Sequence, residues 1–154
     1  MLEVIKLPPK SLGVREFTSG LRIKTSTRLL IQDTGGDVWK GSMGLLAFLK
    51  SEMKKLEGMS ILEISSGTGA LGLSLSLLGA RVMMTDLPSM VTLIQENINL
   101  NAELMKECEY AVNHLDWRDE SLPEAVKQFG PYDLVIASDG MCSQSLQNAR
   151  SHSE

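Results

Sequence analysis

Ile61-Leu62-Glu63-Ile64-Ser65-Ser66-Gly67-Thr68-Gly69-Ala70-Leu71-Gly72, followed shortly by Arg81-Val82-Met83-Met84-Thr85-Asp86, decides how this chain folds. The order is a short apolar strand, a glycine-rich turn, a helix opening on small residues, and a second strand ending in an acid. Glycines at 67, 69 and 72 open backbone angles closed to other residues and let a ligand approach the main chain. Asp86 falls where a strand-end carboxylate can accept hydrogen bonds from both hydroxyls of a ribose. Half of a nucleoside-binding crevice is therefore written in one stretch.

Gly67, Gly69 and Gly72 satisfy G-x-G-x-x-G, a pattern common to several cofactor classes. Glu63 separates them. A dinucleotide brings an anionic pyrophosphate to this turn, where a carboxylate at the strand end repels it. S-adenosylmethionine carries an ammonium and a sulfonium, which the same carboxylate attracts directly or through water. The acid ahead of the glycines favours the cationic cofactor.

Taken together, Glu63 to Gly69, Asp86, His114-Leu115-Asp116-Trp117 and Tyr132-Asp133-Leu134-Val135-Ile136-Ala137-Ser138-Asp139 resemble the successive cofactor motifs of seven-strand (class I) S-adenosylmethionine-dependent methyltransferases. Asp37-Val38-Trp39 and Leu115-Asp116-Trp117 are similar to the methyltransferase-like group that modifies lysines on other proteins. The resemblance covers residues 20–139, and spaced motifs in combination are more specific than any one alone. It implies that Ser65, Ser66, Gly67 and Gly69 form the cofactor-contacting turn, Glu63 precedes it, and Asp86 holds the ribose. It further implies that Trp39 closes over the cofactor, Trp117 lines the adenine pocket with Asp116 beside it as a further cofactor-binding candidate, and Ala137 supplies a backbone contact. Asp139 opens the family's Asp-x-x-Tyr motif beside the methyl group and the incoming amine, which makes it the candidate catalytic residue. The motif here reads Asp139-Gly140-Met141-Cys142, without the tyrosine, and Ser65 stands where many relatives have glycine. Each role has a plainer counterpart. A tryptophan is often core, Asp116 reads equally as a strand-end acid, and Asp139 as an ordinary turn acid.

The chain's 154 residues allow one domain with a real core and no second. A net charge of −4 supplies no broad basic surface, which argues against general nucleic-acid binding. Cys108 and Cys142 share no metal or redox spacing with each other or with a histidine, so two free thiols and no metal site are expected. The start lacks a signal-peptide core and no apolar run is long enough to span a membrane. These features point to a soluble intracellular protein, cytoplasmic with the nucleus equally open.

The expected fold is α/β, a Rossmann-like parallel sheet with helices on both faces and an N-terminal β-hairpin, incomplete after the fourth core strand. Residues 1–19 read as an irregular lead-in and 20–139 as the partial methyltransferase domain. Segments 21–25 and 29–32 suggest the hairpin. Ser42 is a candidate cap for a helix to about Lys54. Strands are expected at 60–64, 81–85, 110–115 and 134–137, with helices at about 70–78, 90–103 and 122–128. Asn97, Asn99 and Asn101 read as capping and surface residues. Residues 140–154 are polar, without a core-forming period, and read as a weakly ordered tail. The chain is thus expected to be a shortened isoform or prematurely ended product, its fourth strand an edge open to association.

The functional expectation is a protein-lysine N-methyltransferase using S-adenosylmethionine on a protein substrate. A non-catalytic isoform that binds cofactor or a partner is the alternative, and an NAD(P)-dependent oxidoreductase is disfavoured by Glu63 and the Leu-Asp-Trp segment.

Overall fold

The computed structural model describes residues 13–26, 35–53 and 55–138. The expected lead-in up to residue 12, the expected strand at 29–32, Lys54, and Asp139 with the tail beyond it lie outside these residues. In chain order the elements are β1 (Val14–Glu16), β2 (Arg22–Lys24), α1 (Lys40–Glu52), β3 (Ser60–Ile64), α2 (Ala70–Leu77), β4 (Arg81–Asp86), α3 (Pro88–Leu100), α4 (Ala102–Met105), β5 (Tyr110–His114), α5 (Glu124–Phe129) and β6 (Leu134–Ala137).

Strands β3 to β6 form a parallel sheet in the order β5-β4-β3-β6. Chain connectivity runs outward from β3 through β4 to β5, then crosses back to β6 on the other side of β3. That reversal is a topological switch point, and open parallel sheets bind ligands in the crevice outside the carboxyl ends of the strands flanking it. The turn that follows β3 stands at this crevice.

Alternation along the strands divides the core. Ile61, Val82, Met84 and Ile136 face Leu71, Leu75, Ile94 and Ile98 of α2 and α3, together with Ile23 of the hairpin. Leu62 and Met83 face the other way, onto Val126 of α5. Helix α2 is buried from Ala70 through Ser76 on every side. Its serines tolerate this because Ser74 and Ser76 donate to the carbonyls of Ala70 and Gly72 at 2.7 and 2.9 Å.

Three local expectations change. The hairpin pairs β2 with β1, upstream, because the Thr18-Ser19-Gly20 turn closes it, with Phe17 N–H donating to Leu21 C=O at 2.8 Å. Helix α1 starts earlier, with Trp39 at its cap position and no side-chain cap, and Ser42 is instead 2.9 Å from the Ser138 hydroxyl. Asn97 is buried on the same stripe of α3 as Met90, Leu93, Ile94 and Ile98, whereas Asn101 does stand at the cap position after α3, buried rather than on the surface.

The amino ends of the strands are locked separately. Arg81 stacks over the Phe129 ring, 3.9 Å from its centroid, donates to the Phe129 carbonyl at 2.6 Å, and pairs with Glu109. Nearby, Ser60 N–H donates to the Asp133 carboxylate at 2.8 Å. No helix among the described residues is long and apolar enough to cross a membrane.

Candidate functional site

The turn after β3 is fastened to β4 from several directions. Gly67 N–H donates to Asp86 Oδ2 at 2.7 Å, and Leu87 N–H donates to Asp86 Oδ1 at the same distance. Ser66 N–H donates to Thr85 C=O at 3.0 Å, while the Ser66 hydroxyl accepts from Thr85 N–H at 3.1 Å. The Thr85 hydroxyl donates to the Glu63 carbonyl at 2.7 Å. Asp86 therefore spans the turn and its own strand end. A carboxylate offers about four acceptor positions, so gripping a diol and fastening the turn are compatible.

The turn needs left-handed backbone at Gly67 (φ 56°) and Gly69 (φ 79°), and Ser65 adopts it too at φ 57°. That explains the sequence departure at Ser65: the position suits glycine, and a serine there carries a strain of order 1–2 kcal/mol. Gly72 has another purpose. A Cβ at Gly72 would lie 2.4 Å from Glu63 Oε2 and 2.4 Å from Met84 Cγ, so its absence lets α2 settle directly on β3 and β4.

Glu63 corrects the electrostatic reading. As the residue two beyond Ile61 it faces the same way, beneath α2, and it is 1% exposed. Desolvation pushes its carboxyl up from 4.5 to about 8, opposed by the Ser66 hydroxyl and the Gly72 N–H and reinforced by Asp86. Its Oε2 has no hydrogen-bond partner among the described residues. Burial therefore favours the neutral carboxyl of Glu63 over the standing charge expected from the sequence. Asp86 supplies the carboxylate at the rim.

The other sequence candidates gather at the same end of the sheet. Leu115 N–H donates to Asp86 C=O at 2.9 Å, which holds the start of Leu115-Asp116-Trp117 against the tip of β4. Asp116 is engaged by Arg118, with Nε donating to Oδ1 at 2.8 Å and the backbone N–H at 3.0 Å, and these bonds hold its carboxyl down at about 2. Trp117 is 52% exposed and Trp39 44%, so neither is a core tryptophan. Ala137 pairs with Ile64 and is exposed at the end of β6.

Upstream, Gly35 carries the Asp37-Val38-Trp39 segment over the turn. A Cβ on Gly67 would lie 3.1 Å from Gly35 O. Arg15 donates from Nε to Asp37 Oδ1 at 2.8 Å and from Nη2 to Oδ2 at 2.7 Å, tying the hairpin to the residue that also accepts Val38 N–H. Trp39, Ser65, Ser66, Gly67, Gly69, Asp86, Asp116, Trp117 and Ala137 thus lie at one rim, Glu63 is buried behind it beneath α2, and Asp139 is outside the described residues. Sequence reasoning missed Gly35, Thr85 and Asn97. For Asn97 the signal was present, since it falls on the helical period of the apolar residues of α3.

A sequence profile described as lysine methyltransferase matches residues 17–149. The chain belongs to this lysine methyltransferase family. It is 33% identical to the protein-lysine methyltransferase METTL21E of Mus musculus over 110 residues, 68% of this chain and 44% of that protein. It is 29% identical to the protein N-lysine methyltransferase METTL21A of Danio rerio over 127 residues, 80% of this chain and 56% of that protein. This family member therefore spans about half the length, or less, of these curated relatives. Among solved structures, its fold is like that of magnesium protoporphyrin IX methyltransferase from Synechocystis PCC 6803 with bound SAM, at a TM-score of 0.51 and 22% identity, covering 82% of this chain and 54% of that one.

Proposed function

We propose that this chain binds S-adenosylmethionine at the carboxyl rim of its sheet and is part of an enzyme that methylates lysine side chains on a protein substrate. One observation carries the reading: the left-handed turn after β3 is clasped by Asp86 at the switch point, so a glycine-lined approach and a strand-end carboxylate face one crevice. The relatives' names and the family match support the lysine assignment.

The residues fit such a cofactor. Asp86 would accept from the ribose hydroxyls, the backbone of residues 65–69 would lie along the methionine part, and Trp117 and Trp39, both half exposed, would cover adenine and the donor end. When bound, the sulfonium supplies an activated methyl group and a good leaving group. The chain's own task is then alignment and exclusion of water. A lysine with a pKa of about 10.4 must lose its proton before attack, and apolar surroundings around the bound amine would lower that value by desolvation. Asp139, directly after Ser138, belongs to the same proposal as the acceptor that orients the amine. The proposal also takes residues 20–139 as the functional domain, places it in the cytoplasm or nucleus, and includes association through the edge of β6.

Calorimetry with S-adenosylhomocysteine tests the core of this reading. Wild-type protein is expected to bind it, and Asp86→Ala to weaken binding by more than about tenfold, 1.4 kcal/mol. Binding of NAD in place of S-adenosylhomocysteine would overturn it.

A further inference from the structure

Asn97 is 0% exposed and its side chain reaches three backbone groups on two different segments. Its Oδ1 accepts from Lys24 N–H at 2.6 Å, and its Nδ2 donates to Lys24 C=O at 3.1 Å and to Thr68 C=O at 2.9 Å. One turn along α3, Asn101 repeats the first half of this arrangement on Arg22, accepting from its N–H at 2.8 Å and donating to its C=O at 2.6 Å. Four residues of helix rise about 6 Å and two residues of strand about 6.6 Å, so Asn97 and Asn101 stand opposite Lys24 and Arg22. The two amides thereby replace a neighbouring strand, pairing with the edge of β2 in both directions. Among the described residues, Asn97 and not Asn101 bonds to the glycine turn; the remaining Nδ2 bond of Asn101 goes to the Asn97 carbonyl at 2.6 Å.

We propose that Asn97 is a positioning residue for the ligand-binding turn, setting the Thr68–Gly69 peptide against α3 and coupling that peptide to the hairpin. This inference rests on the cofactor reading above. The other fastenings of the turn run to β4, through Asp86, Thr85 and Ser66. Asn97 acts from the opposite side, so the turn is held between a strand end and a helix. Thr68 is 2% exposed, and loss of the amide leaves its buried carbonyl short of a donor. The peptide plane then rotates toward another partner, and the N–H groups along the turn rotate with it. Through Lys24, the same amide makes the hairpin sense whether the turn is occupied.

Asn101 provides the internal control, because it holds the same hairpin by the same pairing without the Thr68 bond. Titrating S-adenosylhomocysteine into wild type, Asn97→Ala and Asn101→Ala is expected to show about tenfold weaker binding for N97A and less than about threefold for N101A. The Gly69 amide nitrogen resonance, which senses hydrogen bonding at the carbonyl of its own peptide group, is expected to move in N97A and stay in N101A. Equal losses in the two variants with an unmoved Gly69 signal would overturn the inference and leave the cofactor reading standing. Absence of binding by the wild type would remove the reading and the inference with it. Should N97A not fold, hydrogen exchange on the wild type decides: ligand is expected to slow exchange at Lys24 N–H, and an unchanged rate there with protection confined to the turn would overturn the coupling.

Discussion

Glu63 shows how one side chain can have a correctly read position and a misread charge. The sequence places an acid at the end of the first core strand, and the acid is there. What spacing alone does not convey is that a period of two turns this position under α2 rather than toward the crevice. Its proton has a consequence for stability. In the unfolded chain the carboxyl ionises near 4.5 and in the folded chain about 8, so the folded state binds the extra proton between these values. Stability is full below the lower value, falls as pH rises through the window, and levels off above the upper one. Glu63→Gln removes this titration. The melting temperature of wild type is expected to drop by on the order of 10 °C more than that of E63Q between pH 5 and 8. Parallel melting curves across that range would refute the buried proton. Asn97 was misread for a related reason: an asparagine suggests a surface or a cap, and only its coincidence with the apolar stripe of α3 shows that it points inward.

Strong patterns settle most of the elements. β3 and β6 occupy the residues read from sequence, and β4 and β5 end within a residue of them, because short apolar runs bounded by turn residues admit few alternatives. Weak signals went elsewhere. Ser42 is the right type for a cap, yet the bidentate Arg15–Asp37 pair sets the path into α1 and the helix starts at Lys40. Glycines within helices separate the same way. Gly72 is pressed on Glu63 and Met84, whereas a Cβ at Gly44 in α1 meets nothing within 4 Å. Gly72→Ala is therefore expected to lower unfolding free energy by about 2–3 kcal/mol through overpacking. Gly44→Ala is expected to raise it by about 0.5–1 kcal/mol through helix propensity. Urea titrations of the two variants give the comparison, and a harmless G72A would mean that α2 is not held at contact distance.

At the scale of the molecule, the parallel sheet gives the chain two unlike ends. The order β5-β4-β3-β6 comes from the structure, but the parallel sheet and the gathering of candidate residues at one rim were legible, since alternating strands and helices with a glycine turn after the first leave few topologies. The opposite rim was not, because the Arg81–Phe129–Glu109 assembly joins residues remote in sequence through a ring face and a main-chain carbonyl. Arg81→Ala is expected to destabilise the fold by about 2 kcal/mol, from a charged hydrogen bond and a cation over a ring. At temperatures where the variant is folded, its affinity for S-adenosylhomocysteine is expected to match that of wild type. Denaturation and calorimetry on one preparation test both halves, and a shared loss would mean that the ends communicate.

That polarity also tells an experimenter how to hold the molecule. Residues such as Glu107, exposed just ahead of β5, lie beside the Arg81 end, far from the crevice. A biotin handle grafted there would orient every copy on a sensor chip with its receptive side toward the flowing sample, whereas coupling through random surface amines would blindfold a share of them.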